Sequence, residues 1–428
     1  MITTALFGGL VALLVLGVPI AFALGMSTLL AIFTQGLPPI ALAQKLFAGI
    51  DSFPLLAIPF FILTAELMTG GSLSHVLLRF AAMFVGHKRG GLGYTNILTI
   101  TFFSGIAGSA LADAAGPGSI LIRMMKQSGY PAAYAAALTA TASIVGPLIP
   151  PSIIMIIYAL QDESVSILAL FMAGVVPGFM ISGALMAYNF WVSRRRNFKS
   201  EGSRPDMRTI LIAGWKAIPA LMLPVLIVGG VHGGVFTPTE ASVASVFYAL
   251  FCGFFIYGTL TLETLPGIFA RSAFLSAAIL TIVAMSAAFA WVLTIAQVPQ
   301  MLSEWIGSLG LSPLVFLLAV NIFLLIFGLF IEPLPAVIVL APMLAPMAIT
   351  LGIDPTHFAI IVLVNLTLGL ITPPIGGLIF ITAMVAKVSM IEINRELVPM
   401  MLVQTVVLAL ITLLPELSLA LPRMMGLI

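Results

Sequence analysis

The chain has 428 residues, of which 61% are hydrophobic and only 7% are charged, and its formal net charge is +2. A soluble globular protein carries about 25% charged residues, so this composition excludes a water-soluble fold. Apolar runs of about 20 residues recur along the sequence, and they are continuous and not alternating. The sequence therefore predicts an all-α polytopic membrane protein with ten or more crossings, and it excludes a β-barrel.

The N-terminal part, residues 1–91, is predicted to form scaffold helices. Residues 1–35 are apolar but have no charged leading region and no convincing cleavage site, which indicates a retained first helix and not a signal peptide. The number of crossings within residues 1–86 stays open. The single cysteine, Cys252, excludes a disulfide framework and a cysteine-based metal site.

The basic residues orient the chain in the membrane. The hydrophilic segment 193–208 holds six of the 17 lysines and arginines, so the positive-inside rule predicts a cytoplasmic loop there. Counting back through helices 165–193 and 133–160 places Arg123 on the cytoplasmic side, and the basic residues 87–89 are best placed there too. Both ends of the apolar segment 92–122 are therefore expected on one face.

Segment 92–122 is predicted to be a re-entrant hairpin. Each of its arms has about 15 residues, which is too short to span a bilayer, and its turn is rich in glycine and serine. Irregular backbone at membrane depth is tolerated only where it is buried in protein or lines a water-filled cavity. Residues 92–160 would then form the first hairpin with a broken helix behind it.

The second half repeats this pattern in the opposite orientation. Residues 161–311 are expected to form connecting and scaffold helices. A second hairpin, 312–349, would enter the membrane from outside. A second broken helix would descend within 312–386, and 387–428 is predicted to be a C-terminal helix. The remaining crossings are predicted at 210–230, 237–258, 268–297 and 356–386.

The two broken helices share a motif. The first contains GPLIPPS from Gly146, and the second contains GLITPPI from Gly369, at an offset of 223 positions. Proline inside a helix removes a hydrogen bond and costs about 3 kcal/mol or more, so each Pro-Pro pair predicts a break. Two opposed hairpins followed by two such breaks form an inverted repeat, which in secondary transporters places the substrate near the membrane midplane. The repeat pairs Gly146 with Gly369, Pro150 with Pro373, Pro151 with Pro374, and Ser143 with Thr367.

Charged residues inside a membrane are expensive, and they are candidates for function. Asp113 and Glu332 lie at the two predicted hairpin turns, where they either ligate sodium or hold the shape of the turn. Glu240 follows Pro238, so it is either a helix cap or a residue that couples ion and substrate. Glu66 is expected near an interface. Arg123 either pairs with an anionic substrate or anchors the chain in the cytoplasm.

Several functions are excluded by what the sequence lacks. It has no GxxxxGK[ST] motif, so no ATPase activity or nucleotide-driven motor is expected. No nucleophile, base or metal set converges, so an enzyme is not expected either. Membrane lipid is an expected partner, and nucleic acid is not. A channel would also use hairpins, but it would not need two opposed ion-binding ones.

Four motifs in order carry a resemblance to a known family. The runs AGSALADAAGPGSIL, GPLIPPSIIMIIY, GGVFTPTEAS and TPPIGG resemble the large membrane subunit of tripartite ATP-independent periplasmic (TRAP) transporters, within the ion-transporter superfamily. The resemblance covers nearly the whole chain. It implies an elevator-type carrier with a scaffold and a transport domain, which takes up an organic acid with sodium. It also implies two partners, a periplasmic substrate-binding protein and a small four-helix membrane subunit.

The resemblance also implies site residues, with sodium bound at two or more sites. One site would lie between the first hairpin turn and the first break, and the other between the second turn and the second break, with the substrate between the two hairpin tips. The sodium candidates are Ser104, Gly105, Gly108, Asp113, Ser143, Gly146 and Pro147 in the first repeat, and Gly328, Glu332, Thr367, Gly369, Thr372 and Pro373 in the second. The substrate candidates are Ser109, Asp113, Arg123 and Asn365, and Glu240 is the candidate for coupling.

The substrate and the mode of delivery stay open at this stage. Many family members have proline or a neutral residue at the position of Arg123, so the family pattern does not support a substrate role there. The ADAAGPG run favours sialic acid weakly over C4-dicarboxylates. The alternative function is a self-sufficient sodium/dicarboxylate or citrate carrier that works without a binding protein.

Overall fold

The computed structural model describes residues 2–69, 73–198, 200, 205–308, 310–373 and 376–428. The described residues fold into helices joined by short connections, with one isolated antiparallel bridge between Arg89 and Ser200. The all-α class predicted from the sequence is confirmed for this part of the chain.

The N-terminal region forms five helices and a short 3-10 turn. Prolines separate them, because Pro19 and Pro39 sit immediately before the second and third helices, where a missing backbone N–H does no harm. The elements are α1 (Ile2–Val15), α2 (Ile20–Thr34), α3 (Ile40–Ile50), the 3-10 turn (Phe53–Leu56), α4 (Ala57–Thr69) and α5 (Leu73–Val85).

The segment predicted as the first hairpin and broken helix forms five helices. The hairpin turns at Gly108, whose positive φ of 58° favours glycine, and again at Gly116, just before Pro117 opens the returning arm. The elements are α6 (Gly91–Ala107), α7 (Ala110–Ala115), α8 (Pro117–Gln127), α9 (Ala132–Ser143) and α10 (Ile153–Gln161).

The middle of the chain contains the longest helices. Ser166 caps the first of them by accepting a hydrogen bond from the Ala169 N–H at 3.0 Å. Helix α15 has no counterpart among the predicted crossings. The elements are α11 (Ile167–Arg195), α12 (Met207–His232), α13 (Pro238–Phe251), a π-helical turn (Cys252–Ile256), α14 (Leu265–Ile295) and α15 (Val298–Ser308).

The segment predicted as the second hairpin and broken helix forms four helices among the described residues, and none of them corresponds to the short helix α7. The C-terminal segment was predicted to be one helix, and the structure divides it in two before Pro415, which stands at the start of the last helix. The elements are α16 (Pro313–Phe327), α17 (Pro333–Thr350), α18 (Pro355–Gly369), α19 (Gly377–Ala386), α20 (Met390–Leu413) and α21 (Glu416–Met424).

The halves of the broken helices lie at the centre of the molecule. Every residue of α18 from Thr356 to Gly369 is buried, as is α9 from Tyr134 to Ser143. Helix α9 packs against α6, α8, α19 and α20, and α18 packs against α16 and α17. Helices α1 to α4 pack with α13 and α14 on one flank. The elevator motion and the division into scaffold and transport domains stay predictions.

Six described helices are long and apolar enough to cross a membrane, or seven if the bent pair α3–α4 is one span. The count is below the ten or more crossings expected from the sequence, because turns and prolines divide several apolar runs into shorter helices. Helices α18 and α19, for example, have 15 and 10 residues. The six long helices are α11, α12, α13 with the π-helical turn, α14, α17 and α20.

Three contacts join segments that the charge pattern places on the cytoplasmic side. Arg89 bridges to Ser200 in the basic loop, Lys126 donates to the carbonyl oxygen of Ala386, and Arg196 pairs with Glu396. These segments are therefore close in space, as the predicted topology requires. Re-entry of the hairpins into the membrane stays a prediction.

Candidate functional site

The tip of the first hairpin packs directly onto the first helix break. The Gly108 N–H donates to the carbonyl oxygen of Ser104 at 3.0 Å and closes α6. A β-carbon on Gly108 would collide with the carbonyl oxygen of Pro151, so both its positive φ and its neighbour require glycine. The hairpin and the break are thus in backbone contact at the first candidate site.

Asp113 is the buried carboxylate of this tip. Its side chain is 0% exposed, and the Ser104 hydroxyl donates to its Oδ2 at 2.6 Å. Its other oxygen, Oδ1, is buried and has no hydrogen-bond partner among the described residues. A buried polar atom without a partner costs about 1–3 kcal/mol, and more when it is charged, so this oxygen is suited to a cation.

The break itself supplies further oxygen atoms. Helix α9 ends at Ser143 and α10 begins at Ile153, with a cis Pro150–Pro151 peptide bond between them. Within the described chain no backbone N–H donates to the carbonyl oxygens of Ile144 and Gly146. The C-terminal end of a helix also carries partial negative charge, so the end of α9 favours a cation.

Gly146 brings the break against the hairpin. A β-carbon at this position would lie 2.6 Å from Asp113 Oδ2 and 2.9 Å from the Ala110 nitrogen and the Ser109 carbonyl carbon. These distances are well below ordinary contact, so no side chain fits between the two segments. The sequence predicted this glycine as a site residue, and the structure places it beside Asp113.

The second repeat has an equivalent close approach. A β-carbon on Gly369 would lie 2.6 Å from the Gly328 oxygen and 2.7 Å from the Gly328 α-carbon. Thr367 donates to the Val364 carbonyl oxygen at 2.9 Å, and Thr372 donates to that of Leu368 at 2.8 Å, which leaves the hydroxyl lone pairs as acceptors. Pro373 belongs to this break, whereas Pro374 lies outside the described residues.

The two sites are not identical. Glu332 caps the start of α17 without a side-chain hydrogen bond and is exposed, unlike the buried Asp113. The pairing of Ser143 with Thr367 also leaves the frame of the repeat by one position, because the residue 223 positions after Ser143 is Leu366. The Ser143 hydroxyl donates to the Thr139 carbonyl oxygen at 2.9 Å, so it too keeps acceptor lone pairs.

A cavity of about 490 Å³ lies between the two hairpin tips. Its walls come from the first tip, the start of α10, the start of α17, and helices α4 and α14. Most of the lining is apolar, as is usual for small-molecule sites. Ser109, Pro147 and Glu332 are the predicted site residues that line it, together with Gly108.

Glu66 also lines the cavity, and the sequence analysis placed it only near an interface. Its carboxylate accepts a hydrogen bond from Arg271 Nε at 3.0 Å, so α4 and α14 are joined by an ion pair at the cavity wall. An acid within an apolar stretch is a functional candidate by default, and that signal alone could have marked Glu66.

Three of the four substrate candidates lie away from the cavity lining. Arg123 is exposed and donates only a long hydrogen bond, 3.4 Å, to the Ser119 hydroxyl. Asn365 is buried, where its amide donates to Asn321 and to the carbonyl oxygen of Ile361 at 3.4 Å. It therefore ties α18 to α16. Asp113 faces the break and does not line the cavity either.

Glu240 caps a helix, and Gly105 contacts the first break. Glu240 accepts hydrogen bonds from the Thr237 N–H at 2.8 Å and the Thr237 hydroxyl at 2.9 Å, in a capping box that starts α13. It does not line the cavity. A β-carbon on Gly105 would be 3.6 Å from the Pro150 oxygen, so this glycine faces the break at ordinary contact distance.

The oxygen atoms at the two breaks suit a hard monovalent cation. Among the described residues there is no group of three or more His, Cys, Asp or Glu that could hold a transition metal. Hydroxyl, carbonyl and carboxylate oxygens are instead the ligands that hard cations prefer. The donor set therefore fits sodium.

Comparison with known proteins identifies the relatives of this chain. The family model described as "Tripartite ATP-independent periplasmic transporter, DctM component" matches residues 7–417. The C4-dicarboxylate TRAP transporter large permease protein DctM of Rhodobacter capsulatus is 38% identical, over 98% of this chain and 99% of that protein. The sialic acid TRAP transporter large permease protein SiaM of Vibrio cholerae is also 38% identical, over 98% of both chains.

A solved structure supports the fold. The Alcanivorax borkumensis YdaH transporter superposes with a TM-score of 0.61 and 15% sequence identity, over 86% of this chain and 87% of that one. At this identity the likeness concerns the fold alone.

Proposed function

Because the chain belongs to the DctM component family of tripartite ATP-independent periplasmic transporters, we propose that it performs sodium-coupled secondary active uptake of an organic acid. The family consists of TRAP large permeases, and the chain is a multi-pass inner membrane protein. The proposal for sodium and for the acid rests on the two breaks and on the cavity between the hairpin tips.

One observation carries the sodium proposal. Asp113 is fully buried, it is held by Ser104, and its Oδ1 lacks a partner among the described residues. Gly146 brings the free carbonyls of the break within reach of the same tip. In secondary transporters, unwound carbonyls and half-helix C-termini coordinate sodium in this way. Gly369 and Gly328 support a second, neutral site in the other repeat.

The cavity is proposed as the place of the organic acid. The N-terminal ends of α10 and α17 reach its wall through Ile153, Ile154 and Leu334, and helix N-termini attract anions. The same wall carries two acids, Glu66 and Glu332. An anion next to two carboxylates is disfavoured, so bound sodium would compensate this charge and link the two cargoes.

Transport itself is proposed to follow an elevator mechanism. The hairpin tips and both breaks would move as one body past α4 and α14, which complete the cavity from the other side. Backbone contact at Gly146 and at Gly369 supports a rigid body, since neither interface has room to slide. Sodium would order the tips before the body moves.

Two partners complete the proposed system. A periplasmic substrate-binding protein would deliver the acid, and a small four-helix membrane subunit would assemble with this chain. Relatives named for C4-dicarboxylate and for sialic acid define the proposed substrate classes. The competing proposal, a self-sufficient dicarboxylate or citrate carrier, requires uptake without a binding protein.

Proteoliposomes test the proposal directly. The chain and its small partner are reconstituted, an inward sodium gradient is imposed, and labelled sialic acid and succinate are assayed with and without the cognate binding protein. Uptake that needs both sodium and the binding protein is expected. Uptake with sodium alone would support the self-sufficient carrier, and flux that ignores sodium would refute the coupling.

A further inference from the structure

The basic end of α11 carries a second pocket, which shares no lining residue with the cavity between the hairpin tips. It has a volume of about 260 Å³ and is lined by Tyr188, Trp191, Val192, Arg195 and Arg196, and we call it the α11 pocket. Helix α11 has 29 residues and is apolar enough to cross a membrane. A pocket at its basic, aromatic end therefore lies at the level of the lipid headgroups.

Arg195 offers a guanidinium that no carboxylate neutralises. It lies over the Trp191 ring, 5.2 Å from the ring centroid, and it forms no ion pair with a described residue. Stacking uses the flat face of the guanidinium and leaves the N–H groups at its edge available to an oxyanion. Arg194 is arranged alike, 4.1 Å from the centroid of Phe190.

Arg196 has a different role, which is to hold the wall of the pocket. It forms two hydrogen bonds of 2.9 Å to the two oxygens of Glu396, and it lies 5.4 Å from the centroid of Tyr134. Tyr134 is fixed in turn by a hydrogen bond of 2.8 Å to Asn189. Because Arg196 neutralises Glu396, the charge of Arg195 is left for a ligand.

Two further donors line the α11 pocket. Tyr188 carries a phenol hydroxyl and Trp191 an indole N–H, and both residues line the pocket. With Arg195 they present a phenol, an indole N–H and a planar fork, a combination suited to phosphate oxygens. The volume is roughly eight times that of a liquid water molecule, so a phosphate group fits with water around it.

The lipid-facing side of α11 indicates what is attached to that phosphate. Gly183, Ala187 and Trp191 follow one another at four-residue intervals and are all exposed, so they share one face. Nothing lies within 4 Å of a β-carbon placed on Gly183. This exposed face, which has small side chains at Gly183 and Ala187, leads along the helix to the pocket at Trp191, so it leaves room for an acyl chain.

We propose that the α11 pocket binds the phosphate of an anionic phospholipid, with Arg195 as the charged donor and the lipid chain along Gly183 and Ala187. Basic pockets at the cytoplasmic ends of membrane helices are suited to anionic headgroups. The site is separate from the transport cavity, because Glu396, Arg195 and Tyr188 do not line that cavity. A free phosphate has the same headgroup chemistry as the lipid but has no acyl chain to lie along Gly183 and Ala187.

Lipid binding to the full chain in detergent tests this assignment. Bound lipid is counted by native mass spectrometry while phosphatidylglycerol, phosphatidylcholine or inorganic phosphate is titrated. The variant Arg195→Gln removes the charge at an exposed position, and Arg208→Gln is the matched control in the same basic region, also exposed. Arg195→Gln is expected to weaken phosphatidylglycerol binding about fivefold, the effect of one basic residue near a membrane surface.

The outcomes separate cleanly. Tight binding of phosphatidylglycerol that Arg195→Gln weakens and Arg208→Gln preserves is the expected result. Equal binding of phosphatidylcholine would overturn the role of headgroup charge, and equal effects of the two variants would reduce the site to diffuse attraction. Saturation of the site by inorganic phosphate alone, with no preference for the lipid, would overturn the lipid assignment.

Discussion

Replacing Gly146 by alanine isolates the contact between the first break and the hairpin tip. The added β-carbon would stand 2.6 Å from Asp113 Oδ2 and 2.9 Å from the Ala110 nitrogen and the Ser109 carbonyl carbon. Non-bonded contacts are optimal at about 3.5–4.0 Å, so the tip or the break must move by roughly 0.6–1 Å. Two of the three atoms belong to the backbone and cannot rotate away.

The expected magnitude follows from that displacement. Overpacking of a dense core costs about 1–3 kcal/mol, and the carboxylate of Asp113 is pushed away from the free carbonyls of the break. We therefore expect lower thermal stability and at least a tenfold weaker apparent affinity for sodium, which corresponds to about 1.4 kcal/mol. The buried position limits relaxation, because Asp113 and Ser143 are both 0% exposed.

Thermal unfolding with and without sodium is the assay. A ligand that binds only the folded state stabilises it by RT ln(1 + c/Kd), where c is the free ligand concentration, so the rise in melting temperature with sodium concentration measures the affinity. Potassium replaces sodium at constant ionic strength. Gly229→Ala is the control, since Gly229 lies within α12 and has nothing within 4 Å of an added β-carbon. In that control, alanine is expected to stabilise by up to about 1 kcal/mol.

Two results would contradict the proposed role of Gly146 in binding sodium. If Gly146→Ala behaves like Gly229→Ala in both stability and sodium increment, the close approach at the break has no part in binding sodium. Loss of stability together with an unchanged sodium increment would keep the packing argument and reject the first sodium site.

Three further changes test other parts of the molecule. Asp113→Asn keeps the shape of the side chain and the hydrogen bond from Ser104 but removes the charge. Losing a charged ligand weakens sodium binding by about 1.5–3 kcal/mol, so sodium-dependent uptake is expected to fall at least tenfold. Uptake with unchanged sodium dependence would contradict the site. Glu66→Gln removes an acid from the cavity wall and frees its partner Arg271, which is expected to lower the KM for the anionic substrate. Stability is expected to fall by less than about 1 kcal/mol, because the arginine side chain is 58% exposed. An unchanged or higher KM in concentration-dependent uptake would argue against this wall as a substrate surface. Thr237→Ala removes the cap of α13 and is expected to cost about 1 kcal/mol in thermal unfolding without altering the sodium dependence of uptake. A change in sodium dependence would instead support a coupling role for Thr237 and Glu240.

The helix breaks illustrate what could be predicted locally. Proline and glycine act on their own backbone, so GPLIPPS and its repeat predicted two interrupted helices before any contact was known. The structure ends α9 at Ser143 and α18 at Gly369, inside the predicted segments. The C-terminal ends of α9 and α18 and the turn at Gly108 were predictable for the same reason, because glycine and proline determine the backbone conformation where they stand.

The direction of polar side chains could not be predicted in this way. Arg123 and Asn365 were chosen because they are polar and close in sequence to the motifs, yet one faces outward and the other joins α18 to α16. A helix residue's face depends on which neighbours pack around it, and in an apolar chain periodicity hardly marks that face.

The sequence by itself determined that the protein lies in a membrane, which family it belongs to and where its helices break. The first follows from the composition of the whole chain, and the other two follow from motifs and from the backbone chemistry of short stretches. Only the tertiary structure decided which atoms meet. It placed Asp113 against Gly146 and Glu66 against Arg271, and it left one carboxylate oxygen without a partner. Glu66 and Arg271 are 205 positions apart, and each looks like an ordinary interfacial charge until packing brings α4 and α14 together around the cavity.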